Sequence, residues 1–585
     1  MSEEEDTSTL EGVVTGQMKP IPGREAEMTV NNTGGGSFTV STFERLQRFL
    51  IIGNSTDTYY ANKNELTLES ASAVIDALRA DGASVVREVQ DISENGRAPK
   101  NDTALYVLAM AVAWGSLYET PVSSENTHLD ELRNGDANAK DVRRLAFAAL
   151  PHVARTGTHV MQFIGYLSAM DATGGRFARK MMCEWFESKD PEALAFQAVK
   201  YRQRNGWTFR DILRLAHPST QCPKRRALYD WIAHAHESLQ QNPTKPRKHA
   251  LLSQEVIISN ATSLFPIIDG YEKARLLETS DDVESIVELI KEYKLPREAI
   301  PTQYLNSQRV LETLLVENMP MTAMIRNLGN MSKAGVFEDD KLVELVITRL
   351  SDDQYLRKSL IHPINVLSAA VTYQSGHGSR SESQWVPNPK IVNALNDAFY
   401  KTFQNVIPAG KRFMIGVDVS GSMNCHALDA LTCAQVATAM AMVTIETEPN
   451  CFVGCFTKTF LPANRIFKRG AKLPEILEKT REMTFGATDC AAMIQYAIDN
   501  EILTDVFIIY TDCETWAGPK HVTELLQQYR AEFGLKAKLI AVGISSSRFS
   551  VVDPNDPLQL NVAGFDTATP AVISQFASFK PGAKL

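Results

Sequence analysis

The chain has 585 residues, 44% of them hydrophobic, 22% charged and 8% aromatic, with a net charge of -9. That length suggests roughly three or four domain equivalents of ~150 residues, unless a repeat array breaks the arithmetic. The composition excludes a mostly disordered chain, and the acidic balance excludes a basic coat over the whole surface, though not a local basic stripe. The longest apolar run, 104–114, is shorter than the ~18 residues a membrane span needs, and the acidic start 1–6 does not read as a signal peptide. Eight cysteines without a C-x-x-C pair fit a reduced, cytoplasmic compartment, with a nuclear pool allowed.

Residues 1–38 read as an acidic, disordered tail. Residues 1–30 carry seven acids against two bases, and Gly34, Gly35 and Gly36 follow. From about 39 to 405 the pattern is helical almost without break. Apolar residues recur at three and four spacing in 66–78, 104–117, 142–150, 283–290, 310–315 and 341–350, separated by turn clusters such as 93–96, 171–175 and 351–354. Medium helices with short turns predict an α-solenoid of helical pairs, although no clean sequence period appears.

Within that region, residues 176–226 hold twelve Lys/Arg against five Asp/Glu. Arg176, Arg179 and Lys180 stand at i, i+3 and i+4. A helix predicted over 192–205 places Lys200 and Arg204 on one face and ends at Gly206. The next helix begins near Thr208, with Asp211 completing a weak capping box, and carries Arg210, Arg214 and His217 at i, i+4 and i+7. Lys224, Arg225 and Arg226 extend the cluster. A charged helix face is usually only solvated. Charges of one sign recurring on consecutive helices fit phosphate-backbone recognition instead. His217 taken alone reads as a helix cap, and Trp207 as core rather than a stacking platform.

Near Pro408 the grammar changes. Strands over 412–419, 451–456, 505–510 and 537–544 alternate with helices over 427–445, 490–502, 522–533 and 570–579, the pattern of a doubly wound sheet over 406–585. The first strand ends in Asp418-Val419-Ser420-Gly421-Ser422. Thr488 precedes a helix, and Asp512 follows the strand 506–510. Alone, D-x-S-x-S is a common turn. Three such pieces at the ligand-binding edge of one αβ domain predict a site of hard oxygen donors for Mg²⁺, with Mn²⁺ or Ca²⁺ as alternatives.

These residues resemble the von Willebrand factor A domain, whose metal-ion-dependent adhesion site is D-x-S-x-S, then Thr, then Asp. All five positions match: Asp418, Ser420, Ser422, Thr488 and Asp512. The whole chain resembles the TROVE-domain ribonucleoproteins, the Ro autoantigen family. The resemblance is carried by Arg45-Leu46-Gln47-Arg48-Phe49-Leu50, Thr58-Tyr59-Tyr60, Lys200-Tyr201-Arg202-Gln203-Arg204-Asn205-Gly206-Trp207, Leu213-Arg214-Leu215-Ala216-His217, Arg326-Asn327-Leu328-Gly329, Ile361-His362-Pro363, Thr511-Asp512 and Gly564-Phe565-Asp566-Thr567.

The resemblance implies a ring of HEAT-like helical repeats bridged by the A domain. It also implies binding of a small structured noncoding RNA (Y RNA) on the outer face, and capture of single-stranded 3′ ends of misfolded noncoding RNA in the hole. Lys200, Arg204 and His217 match positions that the family uses on its outer RNA-binding surface. Arg45, Arg48, Arg326 and His362 match recurrent motifs with no assigned place. The sequence departs from the family in its longer acidic start and in the stretch 222–249, with Lys245, Arg247 and Lys248. No enzyme is expected: H-E-x-x-H, G-x-x-x-x-G-K-[ST] and G-x-S-x-G are missing. The expected partner is RNA rather than DNA or a membrane. The competing expectation is a protein-adhesion scaffold that grips a partner's carboxylate through the metal.

Overall fold

The computed structural model describes residues 14–52, 72–117, 139–173, 175–204, 206–235, 253–277, 282–378, 383–403, 407–424, 426–428, 431–483, 486–544, 549–564 and 566–579. The chain divides into two compact units. One is Val74–Thr402; the other joins Met1–Ala73 to Phe403–Leu585.

The Val74–Thr402 unit is helical, as the periodicity predicts. Neighbouring helices pack along the chain, for example Asp102–Leu117 against Ala139–Val153 and Pro363–Ser375 against Pro389–Lys401. Asp102–Leu117 is apolar on nearly every side, and Ala104 through Trp114 are all buried, so it is a core helix. Local signals set many helix ends. Asp190 accepts from the Glu192 and Ala193 N–H groups, with Pro191 at the first helical position. Thr208 and Asp211 form the reciprocal capping box that the sequence suggested.

In the second unit, β1 (Met28–Val30) and β2 (Gly36–Thr39) form an antiparallel hairpin. A six-stranded sheet follows, built from β3 (Arg412–Asp418), β6 (Asn450–Phe456), β7 (Phe460–Pro462), β8 (Val506–Thr511), β9 (Lys538–Gly543) and β11 (Gln559–Ala563) in the order β11-β9-β8-β3-β6-β7. A two-stranded ribbon, β4 (His426–Leu428) with β5 (Leu431–Thr432), stands apart, and β10 (Phe549–Ser550) pairs with β2. All pairings in the six-stranded sheet are parallel except β6 with β7, so the doubly wound sheet carries one antiparallel edge. The central strand β8 is buried at every residue because both faces are covered. Met414, Phe507, Met493, Leu526 and Tyr529 belong to one core cluster of that unit. The predicted helix 427–445 begins later, at Cys433, because Thr432 caps it in a capping box with Gln435.

The expected disordered tail is corrected over 14–38; residues 1–13 lie outside the described residues. Gln17 is fully buried and donates to Asp489 Oδ1 at 2.5 Å. Asn31 donates to the Thr515 carbonyl at 2.7 Å, and Arg24 pairs with Asp553. The glycines read as flexible serve close approach. A Cβ on Gly35 would stand 1.8 Å from the Thr515 carbonyl oxygen, and one on Gly16 1.8 Å from that of Pro519. The segment's own composition cannot bury it; partners some five hundred residues away do.

Candidate nucleic-acid interface and metal-site residues

The basic residues fall on three consecutive pieces. Arg176, Arg179 and Lys180 are exposed on the helix Gly175–Glu187. Lys180 reaches Glu184 at 3.5 Å, whereas Arg176 and Arg179 have no acid partner among the described residues. This helix packs against Phe209–Ala216. Trp185 and Phe209 stack with ring centroids 6.0 Å apart, and the Cys183 thiol donates to the Ala216 carbonyl. On that second helix Arg214 is exposed and Arg210 half-buried, one turn apart.

The predicted single helix through Lys200 and Arg204 is corrected. The helix is Pro191–Lys200, and Tyr201 already leaves it. Arg204 lies in a tight turn, exchanging backbone hydrogen bonds with Trp207 at 2.9 and 2.8 Å, and Gly206 at φ +78° makes that turn rather than ending a helix. Lys200 and Arg204 therefore share no helix face. Lys200 stays half-exposed, its ammonium 5.8 Å from the Phe196 ring and 5.4 Å from the Tyr201 ring. Arg204 is exposed. Neither is ion-paired among the described residues. Trp207 is half-exposed rather than core.

His217 is the C-cap of Phe209–Ala216 in the left-handed region, at φ 49°, with its side chain exposed. The cap reading holds for its backbone, and the position leaves the imidazole open to solvent.

Other basic residues divide. Arg225 is structural, donating to the Phe186 and Lys189 carbonyls, and Lys224 is paired with Glu192. Lys245, Arg247 and Lys248 lie outside the described residues, as do Thr58, Tyr59 and Tyr60. Arg326 is exposed on Met321–Lys333. His362 is buried as an N-cap that accepts from the Ile364 N–H and faces the Arg97 carbonyl. Arg48 is buried and donates to the Phe549 carbonyl and Asn561. Arg45 is half-buried, with Ser72 as one partner. One grouping was illegible in sequence. The Arg202 and Arg275 guanidiniums flank the Tyr271 ring at 5.3 and 5.8 Å beside a cavity of about 380 Å³, and no local spacing links Arg202 to Tyr271.

The five oxygen-donor residues sit on three loops of the αβ unit. Asp418 ends β3 and is fully buried. It accepts from the Ser420 N–H at 2.9 Å and the Thr511 hydroxyl at 2.6 Å. Ser420 and Ser422 hydroxyls are 3.0 Å apart. Asp512 follows the adjacent strand β8 and accepts from the Glu514 N–H at 3.0 Å. The Thr488 carbonyl accepts from the Trp516 and Ala517 N–H groups, which ties the third loop to the second. Burial, and then the charge of Asp512, pushes the Asp418 carboxyl up to about 7. Among the described residues no three His, Cys, Asp or Glu side chains gather as a metal cluster. A site here would rest on two carboxylates and three hydroxyls, a hard-oxygen set suited to Mg²⁺ or Ca²⁺ and not to zinc. The donor chemistry fits such an ion, whose charge would favour the ionised Asp418 that burial and then Asp512 disfavour.

Comparison with known proteins places this architecture. The TROVE domain matches residues 29–411, and the Ro60 vWA domain matches residues 412–577. The chain is 33% identical to the Caenorhabditis elegans RNA-binding protein RO60, over 97% of this chain and 93% of that protein. It is 35% identical to the RNA-binding protein RO60 of Deinococcus radiodurans, over 94% of each. The crystal structure of the Deinococcus radiodurans RO (RSR) protein aligns with a TM-score of 0.63 at 33% identity, covering 92% of this chain and 99% of that one. With the TROVE domain matched over 29–411 and two relatives above 30% identity along nearly the whole chain, the chain belongs to the TROVE-domain Ro60 family.

Proposed function

We propose that this protein binds small structured noncoding RNA of the Y class, as the core of a cytoplasmic ribonucleoprotein rather than as an enzyme. Lys200, Arg204, Arg210, Arg214 and His217, with Arg176, Arg179 and Lys180, form the binding surface. We further propose that single-stranded 3′ ends of misfolded noncoding RNA enter the hole that the family resemblance implies. One observation carries the reading: Arg176, Arg179, Lys200 and Arg204 have no carboxylate partner among the described residues, and three of the four are exposed. Unpaired surface cations on neighbouring pieces of chain cost little to desolvate against phosphate, and binding releases counterions. The names of the relatives, both RNA-binding proteins, support the same partner class.

The test is fluorescence anisotropy with a labelled small stem-loop RNA at several salt concentrations. The Lys200→Ala, Arg204→Ala double variant is expected to bind roughly thirtyfold more weakly, with its salt slope reduced by about two. Unchanged affinity would remove these residues from the interface.

A second reading concerns the αβ unit and is compatible with the first. Asp418, Ser420, Ser422, Thr488 and Asp512 would hold a Mg²⁺ ion, which supplies a Lewis-acid position for a partner protein's carboxylate. Asp418 and Asp512 bring the charge, and the three hydroxyls complete the donor set without adding more. Calorimetric titration of Mg²⁺ into the wild-type chain and Asp418→Asn tests it; identical traces would defeat it.

A further inference from the structure

We propose that Phe177 is a stacking platform for one unpaired nucleobase, with the neighbouring Arg176 and Arg179 of the same helix holding the adjoining phosphates. This rests on the RNA-binding reading and adds a single-strand subsite to it. Residues Ala178, Met181 and Met182 of the helix Gly175–Glu187 are buried, yet the Phe177 ring is 37% exposed. Its orientation is fixed from inside the fold. Phe177 lies parallel to Phe147 of the helix Ala139–Val153, with ring centroids 5.5 Å apart and planes within 5°. The Arg143 guanidinium, itself buried, stands 4.6 Å from the Phe177 centroid and 5.6 Å from that of Phe147. A braced ring presents its free surface without losing rotamer entropy when a ligand arrives.

The surroundings select the occupant. Arg176 precedes the ring and Arg179 follows within one turn; both are exposed, and neither has an acid partner among the described residues. An exposed aromatic surface next to free cations of one sign suits a base and its adjoining phosphates, the combination by which single strands are held without sequence preference. A duplex offers no such base, because its bases are already stacked and paired.

The experiment uses the full chain and two fluorescent RNAs, decauridylate and a blunt hairpin. Phe177→Leu keeps the apolar volume but removes the π face. It is expected to weaken decauridylate about tenfold and leave hairpin affinity unchanged, and Phe177→Trp is expected to restore or tighten decauridylate binding. Equal binding of decauridylate by Phe177→Leu and wild type overturns the proposal. So does equal weakening of both RNAs, which would mark a structural role. If the wild-type chain binds neither RNA, the underlying RNA-binding reading fails instead, and the two failures are distinct.

Discussion

In the αβ unit several charged and titratable groups are buried and are met by named partners. Arg48 meets the Phe549 carbonyl and Asn561. Lys538 donates to the Phe576, Ala577 and Phe579 carbonyls at the end of the helix Thr569–Ser578, and Asp489 accepts from Gln17. In the helical unit the stretch 176–226 leaves Arg176, Arg179 and Arg204 in water. A buried ion is kept only when local dipoles replace its hydration, so the first set holds structure together. An exposed ion keeps its hydration and contributes little to folding, so the second set is available to a ligand. The same residue type thus serves architecture where it is buried and is open to the proposed recognition where it is exposed.

That contrast can be broken most forcefully at Arg48. Arg48→Ala should cost about 4 kcal/mol in urea unfolding, since it strands two acceptors and opens a cavity, whereas Arg204→Ala should stay within about 0.5 kcal/mol. Equal costs would erase the distinction.

The next effect concerns acid. His521 is fully buried, its Nε2 3.0 Å from the Gly36 carbonyl, and burial pushes its pKa down to about 4. The unfolded imidazole titrates near 6.5, so between these values the unfolded chain binds more protons. The stabilisation is present above about pH 6.5 and is lost as pH falls toward 4, by up to about 3 kcal/mol. Melting curves across that window should show the loss, and proteolysis should release the N-terminal hairpin first; a flat profile would contradict the neutral, buried imidazole.

The smallest effect sharpens the comparison at one residue that serves both roles. His217 holds a left-handed backbone that glycine adopts freely, so His217→Gly should stabilise the fold by about 0.5 kcal/mol while weakening stem-loop RNA several-fold. A loss of both would mean that the imidazole is structural.

Where the reading from sequence succeeded, the signal was local. The Thr208–Asp211 capping box, the burial of 104–114 and the donor positions at strand ends depend on spacings of a few residues. Two readings failed, one at a local turn and one where distant partners decide. The helix through Arg204 looked continuous by charge spacing, but the Gly206 turn and the bridge to Trp207 end it at Lys200. Residues 14–38 looked like a tail because acidity and glycine are counted along the chain, while Asn31, Gln17 and Gly35 find their contacts around Thr515. Phe177 gave no signal of exposure in sequence, since a phenylalanine at helical spacing ordinarily reads as core.

The sequence by itself determined the helical unit, the wound sheet and the placing of Asp418 and Asp512 at strand ends, because periodicity, caps and strand-end motifs act through neighbours in the chain. Only the tertiary structure decided which cations are architecture and which face water, and that the N-terminal segment is part of the αβ unit. Burial is a property of what packs around a residue, and residues hundreds of positions away supply that packing.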